Sequence, residues 1–248
     1  MRKHSILFLN AGYFADVHGS LREYILRGHR QIITTATIQQ RTGRKLIALL
    51  AKLQPDVCCL AEVTPKTFRY IQEELSSLYP HWVAANKYGP GRILSRIPLL
   101  RKRFGGILMK KKLPCRRHLF SHGMKKTLYE VRLEKDLSLF VAHFPLSAAA
   151  RKKQFHELNI LLPRDRRIIL CGDFNIFRGQ GELNNLIQDR HLHIVNQKTD
   201  HTYPAHCPKK SLDLFLCSPN ISDCSLRVIT APLISDHLPV LFAYRASH

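Results

Sequence analysis

Acidic residues are scarce in this 248-residue sequence. Asp and Glu number 18 against 39 Lys and Arg, which leaves a formal net charge of +21. Such a chain is drawn to polyanions: nucleic acid, anionic lipid surfaces or phosphorylated small molecules. The seven cysteines are odd in number and contain no C-x-x-C pair. Cys58, Cys59, Cys171 and Cys217 lie in apolar runs, where free thiols act as small hydrophobes. No disulfide framework is expected, and the reading is a reducing, cytoplasmic compartment. No stretch approaches the ~18 consecutive apolar residues of a membrane span. The run Ser5–Leu9 behind Arg2-Lys3-His4 imitates a signal peptide, but it is short and Asn10 interrupts it, so a first strand is expected. His191, His193, His201, His206 and Cys207 match no common zinc-finger or ribbon spacing. No repeat or low-complexity linker divides the chain, so residues 1–248 are read as one domain.

What the chain does contain is organised around Ile168-Ile169-Leu170-Cys171-Gly172-Asp173-Phe174-Asn175. Four apolar residues after a charged loop read as a buried strand. Gly172 would relieve crowding at its end. If the extended geometry continues, Asp173 and Asn175 point the same way and Phe174 points back to the core. A carboxylate beside an amide there can hold a water and a phosphate oxygen; the plainer alternative is a strand followed by an Asx turn.

Further strands are expected at Ser5–Asn10, Val57–Ala61, Trp82–Ala85, Thr127–Leu133, Leu137–Phe144, Leu212–Cys217, Ser225–Thr230 and Leu238–Tyr244. Helix-like spacing appears over Ala36–Leu53, Pro65–Leu78, Ser147–Leu162 and Gly181–His191. Residues 13–35 read as a polar, basic connection without clear period. Gly105-Gly106 reads as a turn within a basic run from Arg96 to Lys126, placed on strands and loops at a sheet edge. Lysines there either protect the edge from aggregation or form a polyanion surface, and their number favours the surface. Alternating strands and helices in both halves indicate an α/β domain.

Nearly every strand end carries an acid, an amide or a histidine: Asn10, Glu62, His143, Asp173, Asn175, Asp213, Asp236 and His237. Gathered at one rim, such carboxylates would repel one another unless cations neutralised them. Hard oxygen ligands of this kind suit Mg²⁺ or Mn²⁺. Each residue also has a plainer reading. Glu62 can favour the N-terminus of the following helix, His143 can be a hydrogen-bonded core histidine, and Asp213, inside an apolar strand, needs a partner.

Seven pieces occur in order along the chain: Leu9-Asn10, Leu60-Ala61-Glu62-Val63, Ile93-Leu94-Ser95-Arg96, His143-Phe144-Pro145-Leu146, Gly172-Asp173-Phe174-Asn175, Leu212-Asp213-Leu214-Phe215-Leu216-Cys217-Ser218 and Ser235-Asp236-His237-Leu238-Pro239. Together they resemble the endonuclease/exonuclease/phosphatase superfamily of DNase I-like enzymes. The resemblance implies a four-layer α/β sandwich, two packed mixed β-sheets flanked by helices, with the site at one end. It also implies roles. Glu62 would bind the divalent ion, with Asn10 and Asp236 completing or orienting its sphere. Asp213 would hold His237 for acid–base work or phosphate contact, and Asp173 would position or deprotonate the attacking water. Asn175 would bond a phosphate oxygen, and His143 would contact the phosphate or assist the leaving oxygen. Arg96, Arg151 and Tyr203 are the expected substrate contacts, with Gln154 beside Arg151.

The catalytic set does not name the phosphoester. A nuclease acting on DNA or RNA is the leading reading, carried by the charge and the basic run. The alternative is a phosphatase or phospholipase C-like enzyme acting on a lipid head group or inositol phosphate, docked on an anionic phospholipid surface. Against it, no amphipathic anchor with a broad apolar face is evident in the sequence. A polyanion-binding protein without catalysis is the third reading, disfavoured because buried charges without a task destabilise. A monomer is expected.

Overall fold

Period-two alternation decides the layers of this molecule. A computed structural model describes residues 3–89, 102–221 and 223–245. One sheet contains β1 (Lys3–Asn10), β2 (Val57–Val63), β3 (His81–Asn86), β4 (Phe104–Met109), β11 (Ser225–Val228) and β12 (Val240–Arg245), in the order β11-β12-β1-β2-β4-β3. The other contains β5 (Cys115–Leu119), β6 (Thr127–Glu134), β7 (Leu137–His143), β8 (Arg167–Asp173), β9 (His193–Ile194) and β10 (Asp213–Cys217), in the order β5-β6-β7-β8-β10-β9. Each sheet is mixed, with one parallel pair at its centre: β1 with β2, and β7 with β8.

Parallel neighbours require a crossover, and helices supply it. Helices α1 (Leu21–Arg27) and α2 (Ala36–Leu53) lie between β1 and β2, and α4 (Ala148–Leu161) lies between β7 and β8. Helix α3 (Pro65–Glu74) follows β2, and α5 (Asn184–Arg190) follows β8. The hydroxyls of Thr35, Thr64 and Ser147 cap α2, α3 and α4, residue types favoured at that position.

Along the central strands odd and even residues enter different cores. Ile6, Phe8, Val57 and Cys59 face Leu139, Val141, Ile169, Cys171 and Phe215 between the sheets. Leu7, Leu9, Cys58 and Leu60 turn the other way, onto Leu46, Leu50 and Phe68 of α2 and α3. Phe140, Ile168, Leu170 and Leu214 face Phe155 and Leu158 of α4 and Leu186 of α5. A strand buried on both faces reads as an unbroken apolar run, which is why these strands are legible in the sequence. The result is helix, sheet, sheet, helix: the expected four-layer α/β sandwich.

Two expectations are corrected here. Gly105-Gly106 is not a turn; both residues lie inside β4. A β-carbon on Gly106 would stand 2.3 Å from the Phe68 ring, and Tyr129 Oη donates to the Gly105 carbonyl at 2.7 Å. The glycines mark close approach within a strand rather than a reversal. Residues 13–35 are not a structureless connection. Ser20 and Glu23 form a reciprocal capping box that starts α1. That S-x-x-E signal stands in the sequence, and it was obscured because the helix buries none of its own residues.

Candidate active site

The topology carries every expected site residue among the described residues toward one edge of the sandwich. β7 and β8 run parallel, so His143 ends opposite Asp173. β10 runs antiparallel to β8, so its first residue, Asp213, also comes opposite Asp173. The three side chains form a row across adjacent strands. In the other sheet Asn10 ends β1 opposite Ala61, one residue before Glu62. β12 runs antiparallel to β1, which brings Ser235-Asp236-His237 to the same edge. Ser235 Oγ fastens it by donating to the Asn10 carbonyl at 2.6 Å.

Hydrogen bonds knit the two sheets' contributions together. Asn10 Nδ2 donates to Asp173 Oδ2 at 2.9 Å. His143 Nε2 lies 3.2 Å from the same oxygen and 4.0 Å from Glu62 Oε1. His237 Nδ1 stands 2.8 Å from Asp213 Oδ2, which supplies the partner that Asp213 requires in its apolar strand. The Tyr203 ring lies 5.0 Å from the His237 ring, and Phe177 meets Tyr203 edge-on at 5.8 Å. Asp236 Oδ2 accepts from Tyr24 Oη at 2.7 Å and from Gln31 Nε2 at 3.3 Å.

Local backbone departs from regular geometry at two of these positions. Glu62 and Asn175 adopt left-handed φ of 51° and 52°, and the β2–β4 register shifts between Leu60 and Val63. Left-handed non-glycine residues concentrate where a site re-aims a side chain. Glu62 is not the cap of α3, because Thr64 fills that place. The left-handed turn at Asn175 also corrects the extended-geometry reading of Asp173 and Asn175. β8 stops at Asp173. The Asn175 amide N–H then donates back to Asp173 Oδ1 at 3.0 Å, while Asn175 Nδ2 donates to the Phe144 carbonyl at 3.0 Å. The Asx turn and the buried Phe174 are both present.

Electrostatics follow from burial opposed by close charges. Burial works against the Glu62 carboxylate, but Lys87, His143 and Lys125 outweigh it and hold its pKa at about 2. Burial likewise opposes charge on Asp173, and His237 and His143 draw its pKa well below the usual carboxylate range. His143 is pushed down to about 4 by burial and by the Lys125 ammonium. His237 moves the other way: burial disfavours its cation, yet the Asp213 and Asp173 carboxylates raise it to about 10. Burial raises the Asp213 and Asp236 carboxyls, against the pull of His237. An imidazolium gripped by a carboxylate thus stands beside an ionised Asp173 and a neutral imidazole.

The donor set fits a hard divalent cation. Several carboxylates converge, and Asp213 Oδ1 is buried without a hydrogen-bond partner. Among the described residues, the ligand atoms of Asp173, Asp213 and His237 lie within 4.8 Å of one another, though the His237 imidazolium already supplies positive charge to that cluster. Glu62 Oε1 already meets Lys87 Nζ at 3.3 Å, so this carboxylate sits where positive charge is favoured.

Two expected substrate contacts fare differently from Tyr203. Arg96 lies outside the described residues. Arg151 is corrected: it is 2% exposed and its guanidinium is already engaged. Nε donates to Glu182 at 3.1 Å and Nη1 to the carbonyls of Pro145 and Leu146 at 3.1 and 2.6 Å. A buried arginine so committed braces the loop after β7 instead of presenting donors to a ligand. Gln154 acts similarly, its Nε2 donating to the His122 and Lys125 carbonyls at 2.7 and 2.6 Å.

Sequence reasoning missed Tyr13, Tyr24, Gln31, Lys87 and Lys125. Lys125 falls in the basic run expected at the surface, yet its ammonium turns inward onto His143, where burial lowers it to about 8. Its neighbour Lys126 is also buried. The run is therefore only partly a surface feature: Lys111, Lys112, Arg116 and Arg117 are exposed on or before the edge strand β5.

No curated protein sequence matches the chain significantly. Solved structures share its fold. D. rerio TDP2, complexed with single strand DNA product, aligns with a TM-score of 0.69 at 17% identity, over 99% of this chain and 100% of that one. Sphingomyelinase C from Streptomyces griseocarneus gives 0.69 at 15%, over 99% and 100%. The endonuclease/exonuclease/phosphatase from Bacteroides vulgatus gives 0.70 at 11%, over 100% of each. The sequence profile of the Endonuclease/Exonuclease/phosphatase family, whose members hydrolyse phosphoesters, matches residues 19–237. With that match across most of its length and this sandwich around one rim of acids and imidazoles, the chain belongs to the Endonuclease/Exonuclease/phosphatase family.

Proposed function

We propose that the protein is a Mg²⁺- or Mn²⁺-dependent phosphodiesterase, with nucleic acid as its leading substrate class. The observation that carries this reading is the row His143–Asp173–Asp213 across three strand ends, closed by His237 and faced by Asn10 and Glu62 of the other sheet. Glu62, Asn10 and Asp236 would hold the ion, which supplies Lewis-acid stabilisation of charge on the phosphate oxygens. Asp173, kept ionised, positions a water and accepts its proton. Asn10 Nδ2 orients that carboxylate. Asp213 fixes the His237 ring, so that a cationic N–H faces the developing charge. His143 and Lys125 would give a leaving oxygen a hydrogen bond or a proton. Asn175 keeps the second hydrogen of its amide for a phosphate oxygen, since the first goes to Phe144. The Tyr203 ring, with Phe177 edge-on to it, would offer an aromatic face for a base.

The charge of +21 and the exposed cations at β5 support nucleic acid. So does the likeness to D. rerio TDP2, whose crystal structure is complexed with single strand DNA product. A single domain acting as a cytoplasmic monomer is consistent with seven free cysteines and with self-repulsion of the charge. A lipid head group is the second reading, favoured by one observation: Leu21, Ile25 and Leu26 of α1 are exposed beside the site. They form the apolar face that the sequence seemed to lack.

Purified protein should be offered plasmid DNA, single-stranded DNA, RNA, sphingomyelin and a phosphatidylinositol phosphate, with Mg²⁺, Mn²⁺ or a chelator. Metal-dependent cleavage of a nucleic acid is expected. Asp173→Asn should lower it by roughly 10²–10⁴, the usual contribution of a positioned base. Head-group release without any nucleic-acid cleavage would transfer the reading to lipids, and activity unchanged by Asp173→Asn would overturn the role of that residue.

A further inference from the structure

Helix α1 is built inside out. Its polar residues Glu23 and Tyr24 turn toward the protein, Glu23 to His18 and Ser20, Tyr24 to Asp236. Its apolar residues turn outward: Leu21 is 76% exposed, Ile25 75% and Leu26 59%. Leu21 and Ile25 are one turn apart on one face, with Arg22 and Leu26 beside them. The following turn adds Ile32 at 55% and Ile33 at 75%. A folded chain that places five large aliphatic side chains in water within thirteen residues has left an interaction surface uncovered.

We infer that this surface, α1 with the Ile32-Ile33 turn, docks the protein on an anionic phospholipid bilayer. Three observations select that occupant. The side chains are aliphatic, whereas a single-stranded nucleic acid seeks aromatic platforms for its bases. The surrounding charge is predominantly positive: residues 16–45 carry Arg22, Arg27, Arg30, Arg41, Arg44 and Lys45 against Asp16, which pairs with Arg41 and Lys45, and Glu23, which pairs with Arg27. Apolar side chains rimmed by arginines suit the boundary between acyl chains and anionic head groups. A second copy of this chain would bring the same cations and another +21 to the contact, which opposes self-association through this face.

The docking element is continuous with the site. Tyr24 and Gln31 hold Asp236. Ile32 and Ile33 line a cleft of about 630 Å³ together with Tyr13 and Arg103, and Tyr13 Oη lies 3.4 Å from Glu62. Docking would therefore place the mouth of the site near the membrane surface. The inference does not depend on which phosphoester is cleaved, because its test reads binding alone.

The experiment is sedimentation of the full chain with vesicles of phosphatidylcholine containing about a third phosphatidylserine, and with phosphatidylcholine alone. The protein should partition to the anionic vesicles. Ile25→Glu with Leu26→Glu, both at exposed positions, should weaken partition by at least about tenfold while leaving circular dichroism and the melting temperature unchanged. Should that double variant fail to fold, Ile25→Trp provides the second readout, a blue-shifted emission when anionic vesicles are added. Absence of partition, equal partition of the folded double variant, or an emission that does not shift each overturns the proposal. So does sedimentation equilibrium showing a dimer that the double variant abolishes, without vesicle binding.

Discussion

A side chain at position 172 has no room. A β-carbon built there would stand 1.9 Å from the Ala142 carbonyl oxygen, on the neighbouring strand one residue short of His143. The strands that carry His143 and Asp173 approach so closely only because one of them has glycine. Gly172→Ala should destabilise the protein by about 3 kcal/mol or more, as overpacking against backbone does. Gly181→Ala, where nothing lies within 4 Å, should shift it by only about 0.5 kcal/mol. Equal denaturation midpoints for the two variants would refute the packing argument. A second residue-scale consequence concerns His143, held near pKa 4 instead of its ordinary 6.5. The folded state keeps the ring neutral while the unfolded chain takes up the proton, so unfolding gains protons between these values. The stabilising contribution is complete above pH 6.5 and is lost as pH falls toward 4. Glu62, lowered from 4.5 to about 2, adds its own loss below pH 4.5. Melting curves of the chelator-treated protein should fall across the upper window, and His143→Gln should flatten that segment alone.

At the scale of elements, α1 is the least secured helix. It spans seven residues, buries none of them and depends on the Ser20–Glu23 capping box. Helices this short are marginal without tertiary packing. Ser20→Ala should remove about 1 kcal/mol from the helix. Because little of the core rests on α1, the loss should appear as faster amide exchange across residues 21–27 with a nearly unchanged global midpoint. A large shift of the global midpoint would show that α1 is integral to the core after all. Tyr24 ties this helix to Asp236 at 2.7 Å, so the same variant should loosen one wall of the candidate site. Helices α2, α3 and α4 differ: each is capped and each lays leucines or phenylalanines on a sheet.

At the scale of the whole molecule, charge is divided between two tasks. Lys87 and Lys125 are turned inward to neutralise carboxylates. Arg116 and Arg117 stand outward on the edge strand β5. If that edge tracks a nucleic-acid backbone, binding should weaken linearly on a logarithmic salt scale. Arg116→Glu with Arg117→Glu should then lower the slope by roughly two contacts' worth, each duplex phosphate contact contributing about 0.9. A slope unchanged by the double variant would separate the edge from the substrate path. The described helices include none long and apolar enough to cross a membrane, so any membrane contact made by them is at the surface.

The sequence by itself determined an α/β domain and the roster of rim residues, and its resemblance to a known family implied the sandwich. Strands buried on both faces must be written as short apolar runs, and a polar residue ending such a run has to emerge at an edge. Asn10, Glu62, His143, Asp173, Asp213 and His237 were therefore legible one strand at a time. Only the tertiary structure decided which of them touch. The contact between Asn10 and Asp173 spans 163 positions in sequence and depends on how two sheets face each other, which no local pattern encodes. The same holds for the cations. Lys125 and Arg117 look alike in a basic run, and their opposite fates, one buried against His143 and one in solvent, follow from strand register and the Gln154 clamp. Arg151 and α1 show the converse: an arginine expected at the substrate is consumed by Glu182 and two carbonyls, and an apolar face appears where the linear pattern looked polar. Pattern reports how a residue is disposed within its own element. Partners far along the chain settle what that residue is free to do.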